Sequence, residues 1–411
     1  MSVCDHPDLI SIESALAILL ADATAITDTC RVDLMEADDR ILAQDVHSPV
    51  AHPPADNSAM DGYAIRYQDL NDVHWFRVAH RILAGDAATD TLESGCCARI
   101  MTGAALPPGA DTVVMQENAS LNDAGWIEFT RLPAAHDNVR HRGEEIQQGD
   151  PVFKRGRRLR PADLGLLASL GFADIEVIRP LTVGLIATGD ELCQPGQPLP
   201  DGHIYESNRY ALTAMLKRLG CQVLDLGIVP DDKDELRTAF QHADHSCDLV
   251  MTSGGVSVGE ADFCRDILDE LGSINLWRLA IKPGKPFAFG TLPDSRYVGL
   301  PGNPVSAMVT FHQLVVPLIH AMTGVTQEAA PVLTATLDEA VRKRPGRVDF
   351  QRGHVYHDEQ GQLRVTPHKR QGSSLLTTIS QSNAYLLLSR DSGPREAGTE
   401  VEVLLFDRLL T

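Results

Sequence analysis

The fold of this 411-residue chain is decided in residues 249–262, which read LVMTSGGVSVGEAD. The apolar run from Leu249 to Met251 has the composition of a buried strand, and a helical pattern begins at Asp262, beyond a glycine-rich turn. Strand, turn and helix in this order are the unit from which parallel sheets are built. The stretch therefore predicts an α/β domain.

The same alternation extends over residues 181–327. It predicts strands at 181–187, 221–226, 249–251 and 297–300, and helices at 208–219, 232–242, from 262 and from 304. Short strands without polar alternation indicate a parallel sheet covered by helices on both faces, which is a three-layer α/β domain. Such sheets bind ligands beyond the carboxyl ends of their strands.

The glycine-rich turn is the first candidate ligand site. Gly254 and Gly255 would let backbone N–H groups approach an anion closely, and Ser253 and Ser257 add hydroxyl groups. A glycine turn after a strand is also a common tight connection without a ligand, so this segment alone leaves both interpretations open.

Carboxylates gather at the predicted carboxyl ends of the strands. Asp190 and Glu191 follow the first strand, Asp231 follows the second, and Asp262 follows the third. Such oxygen ligands suit Mg²⁺, which bridges protein carboxylates and phosphate oxygens. The alternative is that each acid caps a helix or lies in a solvated turn, and it is the stronger one for Asp232, which fits a capping box.

Two lysines oppose these acids in a proline-rich loop. Because prolines exclude a helix around Lys282 and Lys285, the pair is predicted to bind phosphate or another oxyanion, with a solvated loop as the alternative. The segment from Pro301 to Pro304 predicts a helix start capped by Asn303, where backbone N–H groups and the helix dipole favour negative charge.

The flanking residues are predicted to be rich in β-structure. Residues 51–145 contain short β-type runs broken by glycine and proline, and residues 328–411 predict a small C-terminal β-barrel or sandwich. Residues 1–50 and 146–180 form a linking region, with helices predicted at 9–20, 34–42 and 162–170.

Composition narrows the classes of partner. The formal net charge of −20 disfavours nucleic acids and anionic membranes, and the aromatic content of 5% leaves few stacking platforms for single strands. The eight cysteines form no Cys-x-x-Cys pair, so they indicate neither a zinc site nor a disulfide framework. No signal peptide is apparent and no apolar run reaches the length of a membrane span, so a cytoplasmic protein is expected.

Six motifs occur in one order along the chain. They are DNSAMDGYA (56–64), RIMTGA (99–104), TGDEL (188–192), SGGVSVG (253–259), KPGKP (282–286) and LPGNPVS (300–306). Together they closely resemble the molybdopterin molybdenumtransferases, the MoeA family, which is related to the E domain of gephyrin. The resemblance extends from about residue 11 to residue 405.

The resemblance implies an activity. The chain is expected to insert molybdenum from molybdate into adenylylated molybdopterin, with Mg²⁺-dependent release of AMP, as the last general step of molybdenum cofactor biosynthesis. It also implies an α/β domain of the molybdopterin-binding type, an elongated linking region, and a homodimer with its site between the sheet domain of one subunit and the β-rich domain of the other. A molybdopterin adenylyltransferase and downstream cofactor-maturation proteins are the expected partners.

The resemblance also assigns roles to residues. The catalytic set is Glu191, Asp61, Thr102, Lys282 and Asp262. The metal ligands are Asp190, Glu191, Asp231 and Asp262. The cofactor-binding set is Ser253, Gly254, Gly255, Ser257, Lys285, Pro301, Asn303, Pro304, Arg140 and Ser373. The chain departs from the family pattern at Glu145, where aspartate is common.

Three other functions stay open at this point. An enzyme that transfers adenylyl groups from ATP to molybdopterin would share only residues 181–325. A scaffold of the gephyrin type would use the same fold as a binding platform, although the fused domain and long linker of gephyrin have no counterpart here. A degenerate sensor of the cofactor would bind without chemistry.

Overall fold

The computed structural model describes residues 9–255, 263–326 and 330–411. They fall into two compact units. The larger unit comprises Met1–Cys30, Asp39–Ile41 and Ile178–Thr411, and the smaller unit comprises Arg31–Asp38 and Leu42–Val177. Each unit contains buried apolar clusters of its own. The four domain boundaries drawn from the sequence remain predictions.

A seven-stranded sheet lies in the larger unit. Its strands, in order across the sheet, are Leu9–Ile10, Ser273–Leu279, Pro286–Thr291, Arg296–Leu300, Leu249–Ser253, Thr182–Thr188 and Gln222–Val229. The last four in this order run parallel to one another, as predicted. Three of these four, Arg296–Leu300, Leu249–Ser253 and Thr182–Thr188, are largely buried, which explains their continuous apolar runs in the sequence.

The prediction of a purely parallel sheet is wrong at the other edge. Strand Pro286–Thr291 is antiparallel to both of its neighbours, Ser273–Leu279 and Arg296–Leu300. The connections between these three strands are short, and a short connection joins antiparallel neighbours, whereas a parallel pair needs a long crossover. The sheet is therefore mixed.

Helices cover the sheet in two groups. Lys233–Ser246 and Phe263–Leu271 pack together in one group, while Asn208–Arg218, Pro304–Thr310, Val316–Thr323 and Ile12–Asp22 belong to the other. A π-helical turn, Phe311–Val315, joins two of them. The arrangement confirms the predicted three-layer α/β domain.

The C-terminal part of the larger unit closes into a barrel, as predicted. Five strands pair in a ring, in the order Val348–His357, Leu363–Pro367, Leu333–Leu337, Glu400–Leu405 and Ala384–Leu388, and the last pairs again with the first. The short strand Ile281–Lys282 adds to the ring beside Val348 and Asp349. The lysine loop is thereby anchored to the barrel. Helix Thr377–Ser380 precedes the strand Ala384–Leu388.

The smaller unit is rich in β-structure, which confirms that prediction. Its six-stranded sheet has the order Thr112–Met115, Gly62–Ile65, Cys96–Ile100, Phe76–Ile82, Trp126–Phe129 and Ala119–Leu121. Short pairs join Val139–Arg140 to Asn57–Ser58 and Pro151–Phe153 to Val46–His47, and the chain forms helix Pro161–Ser169. A further short pair is Thr29–Asp33 with Asp174–Ile178. In the larger unit, Leu192–Cys193 pairs with Ile204–Tyr205.

The helix predicted at 34–42 is wrong. Only a 3₁₀ turn, Leu34–Glu36, forms there, with the Asp33 carboxylate accepting a hydrogen bond from the Met35 N–H. Asp39 then adopts a left-handed conformation with φ of 64°, which an α-helix cannot continue through. Further 3₁₀ turns occur at Tyr67–Asn71 and Gln116–Asn118.

One helical run of the described residues is long and apolar enough to cross a membrane by length and composition. It is Pro304–Thr323, contrary to the expectation that no apolar run has this length. Of its most apolar window, 67% is buried inside the protein. The run is therefore packed as a core helix, and a cytoplasmic location stays a prediction.

Candidate functional site

A cleft of about 1280 Å³ opens in the larger unit at the carboxyl ends of the parallel strands. The segments that follow Thr182–Thr188, Gln222–Val229, Leu249–Ser253 and Arg296–Leu300 all contribute to its wall. This is the position at which an α/β sheet binds its ligand.

Most of the residues predicted for the site lie together in this cleft. Its wall includes Glu191, Asp231, Ser253, Gly254, Gly255, Lys282, Lys285, Pro301, Asn303, Pro304 and Ser373. Ser257 and Asp262 are outside the described residues. Asp61, Thr102 and Arg140 belong to the smaller unit.

Three predicted metal-site acids influence one another. The backbone N–H of Asp231 donates to Asp190 Oδ1 at 3.2 Å. Partial burial, and then the negative charges of Asp190 and Glu191, raise the pKa of Asp231 above its ordinary value. The charges repel each other, so a bound cation would stabilise the cluster.

The geometry of this acid cluster stops short of a preformed metal site. Within residues 9–255, 263–326 and 330–411, no three side chains of His, Cys, Asp or Glu are arranged to hold a metal ion. Gly189, at φ of 142°, lets the Glu191 carboxylate fold back over it, since a Cβ there would lie 2.6 Å from Oε2. Asp232 caps helix Lys233–Ser246 instead, which confirms the helix-cap interpretation of that residue.

The two lysines differ in their partners. Lys282 Nζ donates to Asp349 Oδ2 at 3.0 Å, and the Asp349 side chain is only 3% exposed. Gln351 Nε2 donates to the same carboxylate oxygen at 3.2 Å. Lys285 forms no ion pair with a described residue. Both lysines line the cleft, but Lys282 is held by a buried carboxylate, whereas Lys285 is not. That the pair binds an oxyanion stays a prediction.

The described part of the glycine turn, Gly254 and Gly255, makes close contacts within the protein. The Gly254 N–H donates to the Leu300 carbonyl at 3.1 Å, so it is already used within the protein. A Cβ at Gly254 would lie 2.6 Å from the Thr188 carbonyl oxygen, and a Cβ at Gly255 would lie 2.6 Å from Cys264 Sγ. The glycines therefore allow a close approach of chain segments behind the cleft.

The helix start at Pro304 is also partly satisfied. Asn303 takes the cap position without a side-chain hydrogen bond, and the Val305 N–H donates to the Ser373 carbonyl at 3.0 Å. Gln371 fixes the segment that carries Ser373, because it accepts from the Arg352 N–H and donates to the Arg352 carbonyl, each at 2.9 Å. These bonds place Ser373 in the cleft wall.

The polar residues of the cleft wall that sequence reasoning missed include Glu206, Asn208 and Arg347. Asn208 Nδ2 donates to Ser253 Oγ and to the Gly302 carbonyl, each at 2.7 Å. Glu206 is 3% exposed and accepts from the Arg209 N–H at 2.7 Å. Two of these residues lie at recognisable places in the sequence. Asn208 is at the start of an amphipathic helix, and Arg347 follows a Pro-Gly turn.

In the smaller unit, Asp61 and Thr102 are brought together although they lie 41 residues apart. Asp61 Oδ1 accepts from the Thr102 N–H at 2.7 Å and from Thr102 Oγ1 at 2.8 Å. These hydrogen bonds, together with the positive charge of Arg99, lower the pKa of Asp61 below its ordinary value. Asp61 is therefore ionised at neutral pH.

Arg140 and Glu145 lie elsewhere in the smaller unit. Arg140 is exposed on the short strand that pairs with Asn57. Glu145 Oε2 lies 3.5 Å from His52 Nε2. The described structure gives neither residue a contact with the Asp61–Thr102 pair.

Fold and cleft together define a class: a three-layer α/β protein with additional β-rich regions and a cleft at its strand ends. Matches to three family descriptions sharpen this. They are the MoeA N-terminal region (domain I and II) over residues 10–171, a probable molybdopterin binding domain over 184–321, and the MoeA C-terminal region (domain IV) over 334–406.

Individual relatives match nearly the whole chain. A molybdopterin molybdenumtransferase of Haemophilus influenzae is 45% identical over 403 residues, which cover 98% of this chain and 100% of the relative. One of Bacillus subtilis is 34% identical, covering 89% and 87%. The crystal structure of the molybdopterin biosynthesis MoeA protein of Pyrococcus horikoshii has a TM-score of 0.82 at 30% identity, covering 97% and 100%.

This chain belongs to the MoeA family, whose curated members are named molybdopterin molybdenumtransferases. The family resemblance inferred from the sequence motifs is thereby confirmed, and so is the prediction of an enzyme.

Proposed function

We propose that this protein inserts molybdenum from molybdate into adenylylated molybdopterin, with release of AMP. The observation that supports this most directly is the single cleft that brings Lys282, Lys285 and Arg347 together with Glu191 and Asp231. A site with both cations and carboxylates suits a phosphate-bearing substrate and an oxyanion better than it suits a neutral ligand. The names of the curated relatives point the same way.

The chain's own residues bind and orient rather than attack. Lys285 and Arg347 would hold oxyanions of the pyrophosphate or molybdate, because their charges face the cleft and neither is paired with a carboxylate among the described residues. Lys282, tied to Asp349, would keep a fixed position as a second charge. Cleavage of a phosphoanhydride bond in a bound nucleotide gains most from such positioning and charge stabilisation, so a protein nucleophile is not required.

Mg²⁺ fits the donor chemistry of the cleft. Glu191 and Asp231 in the cleft wall, with Asp190 beside them, would supply hard oxygen ligands. Burial, and then the negative charges of Asp190 and Glu191, raise the pKa of Asp231. We assign these three residues, with Asp262, to the metal. When bound, Mg²⁺ would neutralise charge on phosphate oxygens of the substrate.

The partners remain part of the proposal. The Asp61–Thr102 pair and the cleft belong to different compact units of the chain. In the proposed homodimer, the partner subunit would supply the pair to the cleft. The proposed molecular partners are the adenylyltransferase that supplies the substrate and the proteins that receive the product.

The test is an assay of the purified protein with adenylylated molybdopterin, molybdate and Mg²⁺. AMP release and reconstitution of a molybdenum-free apoenzyme are followed together, with each component omitted in turn. AMP release that requires both molybdate and Mg²⁺, and that accompanies reconstitution, supports the proposal. Tight nucleotide binding without AMP release would contradict it and favour a scaffold or sensor.

A further inference from the structure

Asn208 is a buried amide that joins two walls of the cleft. It is the first residue of helix Asn208–Arg218 and is 8% exposed. Its Nδ2 donates one hydrogen bond to Ser253 Oγ, at the end of a central strand, and one to the Gly302 carbonyl, in the loop after the next strand. One side chain thus fixes the spacing of two ligand-facing segments.

The orientation of this amide is determined by its partners. The Gly302 carbonyl can only accept a hydrogen bond, so the amide nitrogen of Asn208 must face it. The same nitrogen reaches Ser253. The amide oxygen is buried and has no hydrogen-bond partner among the described residues, so its acceptor capacity is left unused. The two donated hydrogen bonds explain why the amide is oriented with its oxygen unpaired.

The consequence falls on Ser253. A serine hydroxyl has one proton to donate and two lone pairs that accept. Because Asn208 donates to Ser253 Oγ, a lone pair is occupied and the hydroxyl proton remains for another acceptor. Ser253 lies in the cleft wall, and in the part of the chain that the structure describes its side chain bonds to Asn208 alone. The hydroxyl is therefore set to donate to a ligand oxygen.

We propose that Asn208 is a positioning residue that holds Ser253 as a hydrogen-bond donor to a phosphate oxygen of the bound nucleotide. The inference rests on the proposed function, because it takes the nucleotide as the ligand of this cleft. Asn208 acts through its hydrogen bonds to Ser253 and Gly302.

A double-mutant cycle on the full-length protein tests this, with AMP as the probe and calorimetry as the readout. We expect Asn208→Ala and Ser253→Ala each to raise the Kd for AMP about tenfold, and the double variant to raise it about tenfold as well. The losses coincide because each change removes the same interaction, the hydrogen bond that Ser253 donates to the phosphate oxygen. Independent losses, about a hundredfold together, would overturn the proposal.

Asn208→Asp adds a second measurement. Its carboxylate accepts the proton of Ser253 and places a negative charge beside the phosphate, so AMP should bind more weakly than to Asn208→Ala. That difference should shrink at high salt, because salt screens repulsion between charges. AMP affinity in Asn208→Asp equal to wild type would contradict the inference.

The matched control is Asn383→Ala. Asn383 also makes two side-chain hydrogen bonds, to the Val355 N–H at 2.7 Å and the Val355 carbonyl at 2.9 Å, but it lies in the barrel away from the cleft wall. It should lower Tm without changing the Kd for AMP. If wild type binds no AMP, the proposed function fails; if wild type binds AMP and the Asn208 variants match it, only this inference fails.

Discussion

The charged residues of the cleft differ in the charged groups that lie next to them. Lys282 faces the buried Asp349, whereas Lys285 has no such partner among the described residues. Asp231 feels the negative charges of Asp190 and Glu191. Residues of the same type therefore lie in different surroundings: one lysine is paired with a buried carboxylate, and the other is not.

Removing the Glu191 carboxylate tests the metal-site assignment. Glu191 is exposed and makes no hydrogen bond through its side chain to a described residue, so Glu191→Gln should fold normally. We expect AMP release to fall more than about a hundredfold. Without the Glu191 carboxylate, the site would hold Mg²⁺ less well, and the negative charge on the leaving phosphate would be less stabilised. The measurements are AMP release at saturating Mg²⁺ and the thermal midpoint. Glu235→Gln, an exposed acid in the first turn of its helix, is the control. Full activity in Glu191→Gln would sink the assignment.

Lys282 should contribute to stability as well as to the cleft, because it is paired with the buried Asp349. Lys282→Ala leaves the buried Asp349 without its cation and should lower the free energy of unfolding by about 1–3 kcal/mol. Adding Asp349→Asn should recover part of that loss. Both variants should need more molybdate for half-maximal activity while binding AMP almost as tightly as wild type. An equal loss of molybdate and AMP binding would make Lys282 a general anchor, which the titrations of both ligands would reveal.

The elements around the cleft meet through close backbone approaches. Strand Leu249–Ser253 ends in a turn that passes within contact of the end of strand Thr182–Thr188. Strand Ile281–Lys282 ties the lysine loop to the barrel. These contacts hold the ends of the strands together, so the shape of the cleft is set by short, closely packed connections. The cleft wall should therefore be sensitive to small additions of volume.

Gly254→Ala measures that crowding. Gly254 has φ of 95°, and an added Cβ would meet the Thr188 carbonyl oxygen at 2.6 Å. We expect a loss of about 2–4 kcal/mol in the free energy of unfolding, from backbone strain plus overpacking. Gly227→Ala is the matched control, since its φ of 79° is also left-handed but no atom lies within 4 Å of the added Cβ. It should lose only about 1–2 kcal/mol. Equal losses in chemical denaturation would show that crowding contributes nothing.

An ion pair at the start of strand Thr182–Thr188 predicts a pH dependence of stability. Arg179 donates two hydrogen bonds to Asp248, at 2.7 and 2.8 Å, and the Thr182 N–H donates a third at 2.8 Å. Burial alone would raise the pKa of Asp248, but these bonds and the charge of Arg179 outweigh it and lower the pKa. The stabilisation is therefore complete above the unfolded pKa of about 4 and is lost as pH falls through the lower folded pKa.

The variant Asp248→Asn should remove this dependence. At pH 7 it should unfold about 1–3 kcal/mol more easily than wild type, and the gap should narrow as the pH approaches 3. Urea unfolding at several pH values measures both. Asp201→Asn, in an exposed turn, should match wild type throughout. A gap that stays constant down to pH 3 would mean that the Asp248 charge is not the cause.

Across the whole chain, the local sequence pattern predicted the parallel strands. It did not predict strands whose buried polar residues have partners far away in the sequence. The parallel strands were predictable because burial on both faces leaves continuous apolar runs. The ten-residue strand Val348–His357 was not, because it buries Asp349, Gln351 and Arg352. Asp349 is satisfied by Lys282, 67 residues away in sequence, and no local pattern encodes that partner.

The same limit applies to the site. Glu191, Lys285 and the glycine turn line the cleft, and the sequence drew attention to them because their motifs are made of consecutive residues. Asn208 was not found, because its role comes from Ser253 and Gly302, 45 and 94 residues away. Residues that act by holding others leave little trace in sequence, while residues that carry charge at a turn leave a clear one.

The composition of the complete site can be tested by mixing inactive subunits. Asp61 belongs to the smaller unit and Glu191 to the larger unit. Asp61→Asn and Glu191→Gln should each be inactive alone. If each site is completed across a homodimer, one site of the mixed dimer carries neither substitution, and co-expression should restore about a quarter of wild-type AMP release. If each site lies within one subunit, every site keeps one defect and no activity returns.

Mixing two Glu191→Gln preparations is the control, because it cannot create an intact site. Tandem tags on the two variants would isolate the mixed dimer, whose activity should reach about half that of wild type. A chain that sediments as a monomer would refute the homodimer before any activity is measured.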